Sequence, residues 1–171
     1  IGRAGNGLDN IDVATATQRG IAVLNVPDVS SDSTAEFALA QLLSLSRNLP
    51  QAHASMRAGE WQPARFMGTE VMSKSVGVIG FGAVGRKFAR LCLALKMEVL
   101  VHDPFLNFEN EEAGIETVTL EELLSRADYV SLHCPLTERT RHLIDAVKLA
   151  QMKPGARLIN CADRKSTRLN S

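Results

Sequence analysis

The chain has 171 residues, 45% hydrophobic and 22% charged, which places it among globular proteins with room for one core and part of a second. Lysine plus arginine equals aspartate plus glutamate at 19 each, so overall charge favours neither nucleic acid nor an anionic membrane as a partner. Cys92, Cys134 and Cys161 are widely spaced with no CxxC pair, no apolar run nears the roughly 18 residues of a membrane span, and no signal-peptide layout opens the chain, so a reduced, cytoplasmic setting is expected.

The first residue is Ile1, and the expectation is a piece of something longer. Residues 9–19 hold a polar turn and a short helical stretch, Gly20 breaks it, and "IAVLNV" reads as a buried strand. After the polar loop "PDVSSD", Ser33 with Glu36 has the spacing of a capping box. Phe37, Ala38, Leu42, Leu45 and Leu49 follow at helical intervals, which predicts a helix over 34–48 closed near Pro50. Residues 51–73, with Trp61, read as a helix and an irregular connection.

From Val76 onwards strands and helices alternate. "SVGVIG" is a strand, 83–95 a helix and "EVLVHD" a second strand. Thr119 with Glu122 opens a short helix that ends near Arg126; "DYVSLHC" is a third strand, 145–152 a helix, "KPG" a turn and "ARLINC" a further strand. Strands that are apolar throughout and separated by helices imply a parallel sheet covered on both faces, because parallel strands need crossovers and the crossovers bury the sheet. The fold class is α/β, a Rossmann-type doubly wound parallel sheet.

"VIGFGAVG" sets Gly80, Gly82 and Gly85 in G-x-G-x-x-G order between a strand and a helix. The first glycine serves the tight turn, the second lets backbone approach a pyrophosphate, and the third lets helix pack closely on strand. The Ala83 and Val84 amides then face the phosphates with the helix dipole behind them. Asp103, at the end of the next strand, stands where an acid accepts hydrogen bonds from the adenosine ribose, and it would repel a 2′-phosphate; Pro104 and Phe105 follow it, not an arginine. NAD, not NADP, is the expected cofactor. A tight turn with a surface acid, or an S-adenosylmethionine-type loop, are the other readings of the same pattern.

His53, His102, His133 and His142 have no metal-ligand spacing, and no metal is expected. His102 and His133 lie at strand C-termini, where either lines a ligand site or simply packs. Cys134 and Pro135 share that edge, and Cys92 reads as core.

"GRAGNGLDNID", "STAEFALAQLLSLSRNLPQA", "GEW", "FMGTE", "VGVIGFGAVGRKFA", "HDPF", "HCPLTERTRHLID" and "MKPGARLINCA", in this order over residues 1–162, resemble the D-isomer-specific 2-hydroxyacid dehydrogenases. Their spacing is nearest the branch that acts on 3-phosphoglycerate. "PDVSSDSTAEFAL", which lacks a Gly-Asn pair at Val29 and Ser30, is more like the glyoxylate and hydroxypyruvate reductases. The resemblance implies an oxidoreductase that moves a hydride between NAD and a D-2-hydroxy acid or 2-oxo acid, homo-oligomeric through its NAD-binding domain, with no nucleic-acid or membrane partner. The segment 51–70, with Trp61, Phe66 and Met67, is the candidate contact between copies.

It further implies that residues 1–28 end a flavodoxin-like substrate domain and that 29–162 form an incomplete NAD-binding domain. By the same resemblance Ala83 and Val84 meet the pyrophosphate, Asp103 the ribose, Cys134 and Pro135 the adenine side, and Cys161 and Ala162 the nicotinamide end. Arg3, Ala4, Gly5 and Asn6 match the loop that faces substrate. The family continues after "INCA" with an arginine that pairs with the substrate carboxylate, then a glutamate that tunes a histidine and the histidine that exchanges the proton. Asp163 stands at the arginine position, and "DRKSTRLNS" reads like one translated frame of a sequencing-library adapter. The expectation is a native sequence that ends at Ala162, no catalytic residue within this chain, and no turnover from it alone. A non-enzymatic, NAD-sensing module like the corepressors built on this scaffold is the alternative of another class.

Overall fold

The computed structural model describes residues 1–5, 7–8, 10–106 and 112–162. Asn6, and Asp163 with the adapter-like residues after it, lie outside the described residues. Near the start, β1 (Gly2–Arg3) pairs with β2 (Leu24–Asn25) in a short parallel ladder, with α1 (Val13–Gln18) between them. Asp12 caps α1 by accepting the Thr15 N–H at 2.9 Å, and Gly20, at φ 67°, ends it. "IAVLNV" is therefore not a buried strand. Only two of its residues pair, and Ile21, Leu24 and Val26 stay exposed because no described helix covers the ladder.

Helix α2 (Ser31–Ser46) starts three residues earlier than its spacing predicts, and Ser33 and Glu36 form no capping box. Ser30 occupies the cap position, and Ser31 is drawn into tertiary contacts. Asn48, left-handed at φ 53°, separates α2 from α3 (Leu49–Arg57). Pro50 thus opens a helix and does not close one, since a first-turn proline sacrifices only an N–H that has no partner there. A 3₁₀ turn at Pro63–Phe66 leads to the main sheet.

That sheet comprises β3 (Ser75–Ile79), β4 (Glu98–His102), β5 (Ile115–Thr117), β6 (Tyr129–Leu132) and β7 (Arg157–Asn160), all parallel in the order β5-β4-β3-β6-β7. Its crossovers include α4 (Ala83–Ala94), α5 (Leu120–Arg126) and α6 (Ala146–Gln151). The Thr119–Glu122 capping box forms as its spacing predicts: Thr119 Oγ1 accepts the Glu122 N–H, and Glu122 Oε2 accepts the Thr119 N–H at 2.9 Å.

Strand alternation divides the core into two layers. Val76, Val78, Val99, Val101 and Tyr129 pack with Ala35, Ala38, Leu42, Phe88, Ala89 and Cys92 of α2 and α4. Ile79, Leu100, Val130 and Leu132 face Leu120, Leu123 and Leu124 of α5 on the other side. Each fully buried large side chain contributes about 1.5–3 kcal/mol of transfer free energy. The buried Tyr129 hydroxyl accepts from Arg157 Nη1 at 2.8 Å and hydrogen-bonds with Ser46 Oγ at 2.9 Å, whose own hydrogen goes to the Leu42 carbonyl oxygen at 2.7 Å; these bonds tie α2 and β7 to β6.

Candidate functional site

Strands β3 and β6 are neighbours, yet the chain leaves β3 towards β4 and leaves β6 towards β7. This is the switch point at which open parallel sheets form a crevice beyond their carboxyl ends. A cavity of about 420 Å³ lies there, lined by Gly82, Ala83 and Val84 after β3, His133, Cys134 and Pro135 after β6, Asp28 and Ser30 before α2 with Ser31 at its start, and Ala162 after β7.

The three glycines have different physical reasons. Gly80 sits at φ 92°, and a Cβ there would lie 2.8 Å from the Cys134 nitrogen. A Cβ on Gly85 would lie 2.1 Å from the Gly80 carbonyl oxygen. Gly82 is unlike both: its φ of −74° suits any residue, and a Cβ there would meet nothing within 4 Å. The fold requires Gly80 and Gly85, whereas the bare backbone of Gly82 leaves room for something that enters the cavity. Gly82 is also the N-cap of α4, so the N–H groups of Ala83 and Val84, which have no partner within the helix, open towards the same space.

Asp103 follows β4 and is held on both oxygens. Oδ2 accepts the Phe81 N–H at 2.7 Å, inside the glycine loop, and Oδ1 accepts the Phe105 N–H at 2.9 Å. Burial pushes the Cys134 thiol above its usual range, and the charge of Asp103 adds to the rise, so the ends of β4 and β6 sense each other across the crevice. Beside the loop, the Arg86 guanidinium lies 4.4 Å from the centroid of the Phe81 ring. It shares Glu112 with Arg90, and hydrogen bonding from Arg90 is the main reason that carboxyl titrates below its ordinary range.

His133 both packs and lines the cavity. Its ring lies 4.9 Å from that of Phe88, and Nε2 is 2.9 Å from Ser131 Oγ. Burial lowers its pKa from 6.5 to about 4, so at neutral pH it brings no positive charge to the cavity. Below pH 6.5 the unfolded chain binds a proton that the folded chain refuses until about pH 4, so stability falls as pH drops through this window. The expected loss is about 2 kcal/mol between pH 7 and pH 5. Urea midpoints at the two pH values should differ accordingly, and His133→Phe should remove most of the difference.

Of the residues singled out from the sequence, Gly82, Ala83, Val84, Cys134, Pro135 and Ala162 line the cavity together. Gly80, Gly85 and Asp103 shape its wall from behind. Cys161 packs against the α2/α4 layer, beside Ala162 and not in the lining. His102 turns away, with Nδ1 3.1 Å from the Val118 carbonyl oxygen. Arg3, Ala4 and Gly5 are absent from the lining; the Gly5 carbonyl accepts the Val26 N–H at 3.1 Å, two residues before Asp28. Asp28, Ser30 and Ser31 were not foreseen as lining residues. Their only signal is position, since the loop before α2 runs to the same edge of the sheet.

The sequence model described as D-isomer specific 2-hydroxyacid dehydrogenase, NAD binding domain, matches residues 39–167. The D-3-phosphoglycerate dehydrogenase of Methanocaldococcus jannaschii is 46% identical over 164 residues, which cover 95% of this chain and 31% of that protein. The chain thus spans about a third of the length of that relative. Among solved structures, D-2-hydroxyisocaproate dehydrogenase superposes with a TM-score of 0.90 at 34% identity, over 96% of this chain and 50% of the other. A D-lactate dehydrogenase from Aquifex aeolicus, complexed with NAD and lactic acid, superposes with a TM-score of 0.86 at 32% identity, over 98% of this chain and 51% of the other.

Proposed function

The chain belongs to the D-isomer-specific 2-hydroxyacid dehydrogenase family, whose domain here is the NAD-binding one, and from that premise we propose that it serves a protein moving a hydride between NAD and a D-2-hydroxy acid or its 2-oxo partner. In this reading the Ala83 and Val84 amides hold the pyrophosphate and Asp103 the adenosine ribose. Cys134 and Pro135 border the adenine side, and the backbone of Cys161 and Ala162 borders the nicotinamide. Residues 1–28 end a substrate domain that presents Arg3, Ala4 and Gly5 to the cleft. NAD, when bound, supplies the hydride acceptor or donor; the chain's own part is to orient it and to keep its charged groups at the helix terminus.

The observation that carries the reading is Gly82, a residue that the fold leaves free to bear a side chain and that a dinucleotide would need bare. 3-Phosphoglycerate is the favoured substrate, on the strength of the similarity to D-3-phosphoglycerate dehydrogenases, with glyoxylate or hydroxypyruvate second because of the Val29–Ser30 departure. No substrate-binding arginine or proton-exchanging histidine is assigned among residues 1–162. The setting is taken to be cytoplasmic. No described helix is long and apolar enough to cross a membrane.

Association of copies is assigned to 51–70, where Met56, Trp61 and Met67 are exposed around a small apolar hollow bordered by Phe66. The test of the cofactor reading is a titration of the chain with NADH, followed by fluorescence, beside Gly82→Val. Binding by the wild type, its loss in the variant and an unchanged melting temperature are expected. No binding by the wild type, or equal binding by the variant, would sink the reading. With NAD and D-2-hydroxy acids the chain alone should form no NADH, and steady formation would contradict the assignment of no proton-exchanging histidine among residues 1–162.

A further inference from the structure

We propose that Lys87 is a positioning residue that fixes the loop before α2 as one wall of the cofactor cavity, a role that rests on the NAD reading of that cavity. Lys87 lies on α4, beyond the amides that open towards the cavity, and its Nζ donates to Ser31 Oγ at 2.7 Å and to Asp32 Oδ2 at 2.6 Å. Ser31 Oγ passes the bond on, donating to the Asp28 carbonyl oxygen at 2.8 Å, and the Ser31 N–H reaches the same oxygen at 3.1 Å. Asp28 and Ser31 line the cavity, while Lys87 does not. The relay therefore joins the two walls: Gly82, Ala83 and Val84 on α4, and 28–31 on the loop.

The two halves of the Lys87 contact are unequal. The ion pair with Asp32 stands largely in solvent and contributes little. Ser31 is 3% exposed, so its hydroxyl has no water to replace a lost lysine. The loop also needs holding. Asp28 is left-handed at φ 63°, a conformation an aspartate tolerates but does not prefer, and its carbonyl accepts both the Ser31 hydroxyl and the Ser31 N–H, which keep it there. Residues 26–30 lack helix and strand structure, so without the relay this wall depends on local turns. A small displacement of a cavity wall weakens a ligand that both walls must meet.

NADH titration of the full chain tests this. Lys87→Met should raise the dissociation constant about three- to tenfold, and Lys87→Arg should stay within about twofold of wild type, because it keeps a donor at that place. Ser31→Ala should raise it by a similar factor, and the double variant Lys87→Met/Ser31→Ala no further, since both substitutions break one relay. Without cofactor, hydrogen exchange of the 28–34 amides should quicken in Lys87→Met and not in Lys87→Arg. Multiplying losses in the double variant would mean that Lys87 acts on the phosphates directly, and unchanged exchange with an unchanged dissociation constant would mean that it positions nothing. Either overturns the proposal while the NAD reading stands, whereas a wild-type chain that binds no NADH overturns both.

Discussion

Gly85→Ala is expected to push α4 off β3 and to take cofactor binding with it. The added Cβ would lie 2.1 Å from the Gly80 carbonyl oxygen and 3.1 Å from its carbon. Neither atom can give way easily. Gly80 is held at φ 92°, its N–H donates to the His102 carbonyl at 2.9 Å, and the backbone of His133 and Cys134 closes on its other side. The helix must move, and α4 carries Phe88, Ala89 and Cys92, all fully buried. Overpacking of this kind costs about 1–3 kcal/mol, and at 3 kcal/mol a chain of this size loses roughly 6–12 °C of melting temperature. Gly82→Ala makes the comparison, because a Cβ there would meet nothing within 4 Å. Calorimetry of the two variants should place Gly85→Ala well below Gly82→Ala. An unchanged melting temperature for Gly85→Ala would show that the third glycine is not where strand and helix meet.

The contrast between Gly85 and Gly82 also marks how far a sequence can be read. G-x-G-x-x-G announced the loop, but only the coordinates separate the glycines the fold needs from the one it leaves open. Strands β3, β4 and β6 were legible because both faces are buried, so their runs are almost wholly apolar. Strand β5 was not: its three residues, Ile115–Thr117, lie at the sheet edge, half-buried or exposed, and make no such run.

"IAVLNV" misled for the converse reason, an apolar run whose described surroundings leave it uncovered. Among Ser30, Ser31 and Ser33 the helix start was decided by tertiary contacts. Ser31 answers to Lys87, 56 positions away, and no local rule sees that. Asp28 and Ser30 entered the cavity lining in the same way, through the path of the loop and not through their residue type.

Asp103 is where binding and structure are hardest to separate, and Asp103→Ala and Asp103→Asn together separate them. Alanine removes both acceptors, so the Phe81 and Phe105 N–H groups lose their partners; leaving a buried donor such as Phe81 unpaired costs about 1–3 kcal/mol. Asparagine returns one acceptor and no charge. If the carboxylate receives the ribose hydroxyls as proposed, either variant forfeits charge-assisted bonds of about 1.5–3 kcal/mol, and the dissociation constant for NADH rises about 10- to 150-fold. The decisive quantity is the preference between cofactors, because loop damage alone would weaken NADH and NADPH alike. Removal of the negative charge also lifts its repulsion of a 2′-phosphate, so the ratio of NADPH to NADH dissociation constants should fall in both variants, and as far in the asparagine one as in the alanine one. A ratio equal to that of wild type, with both cofactors weakened, would mean that Asp103 supports the glycine loop through Phe81 and does not meet the ribose.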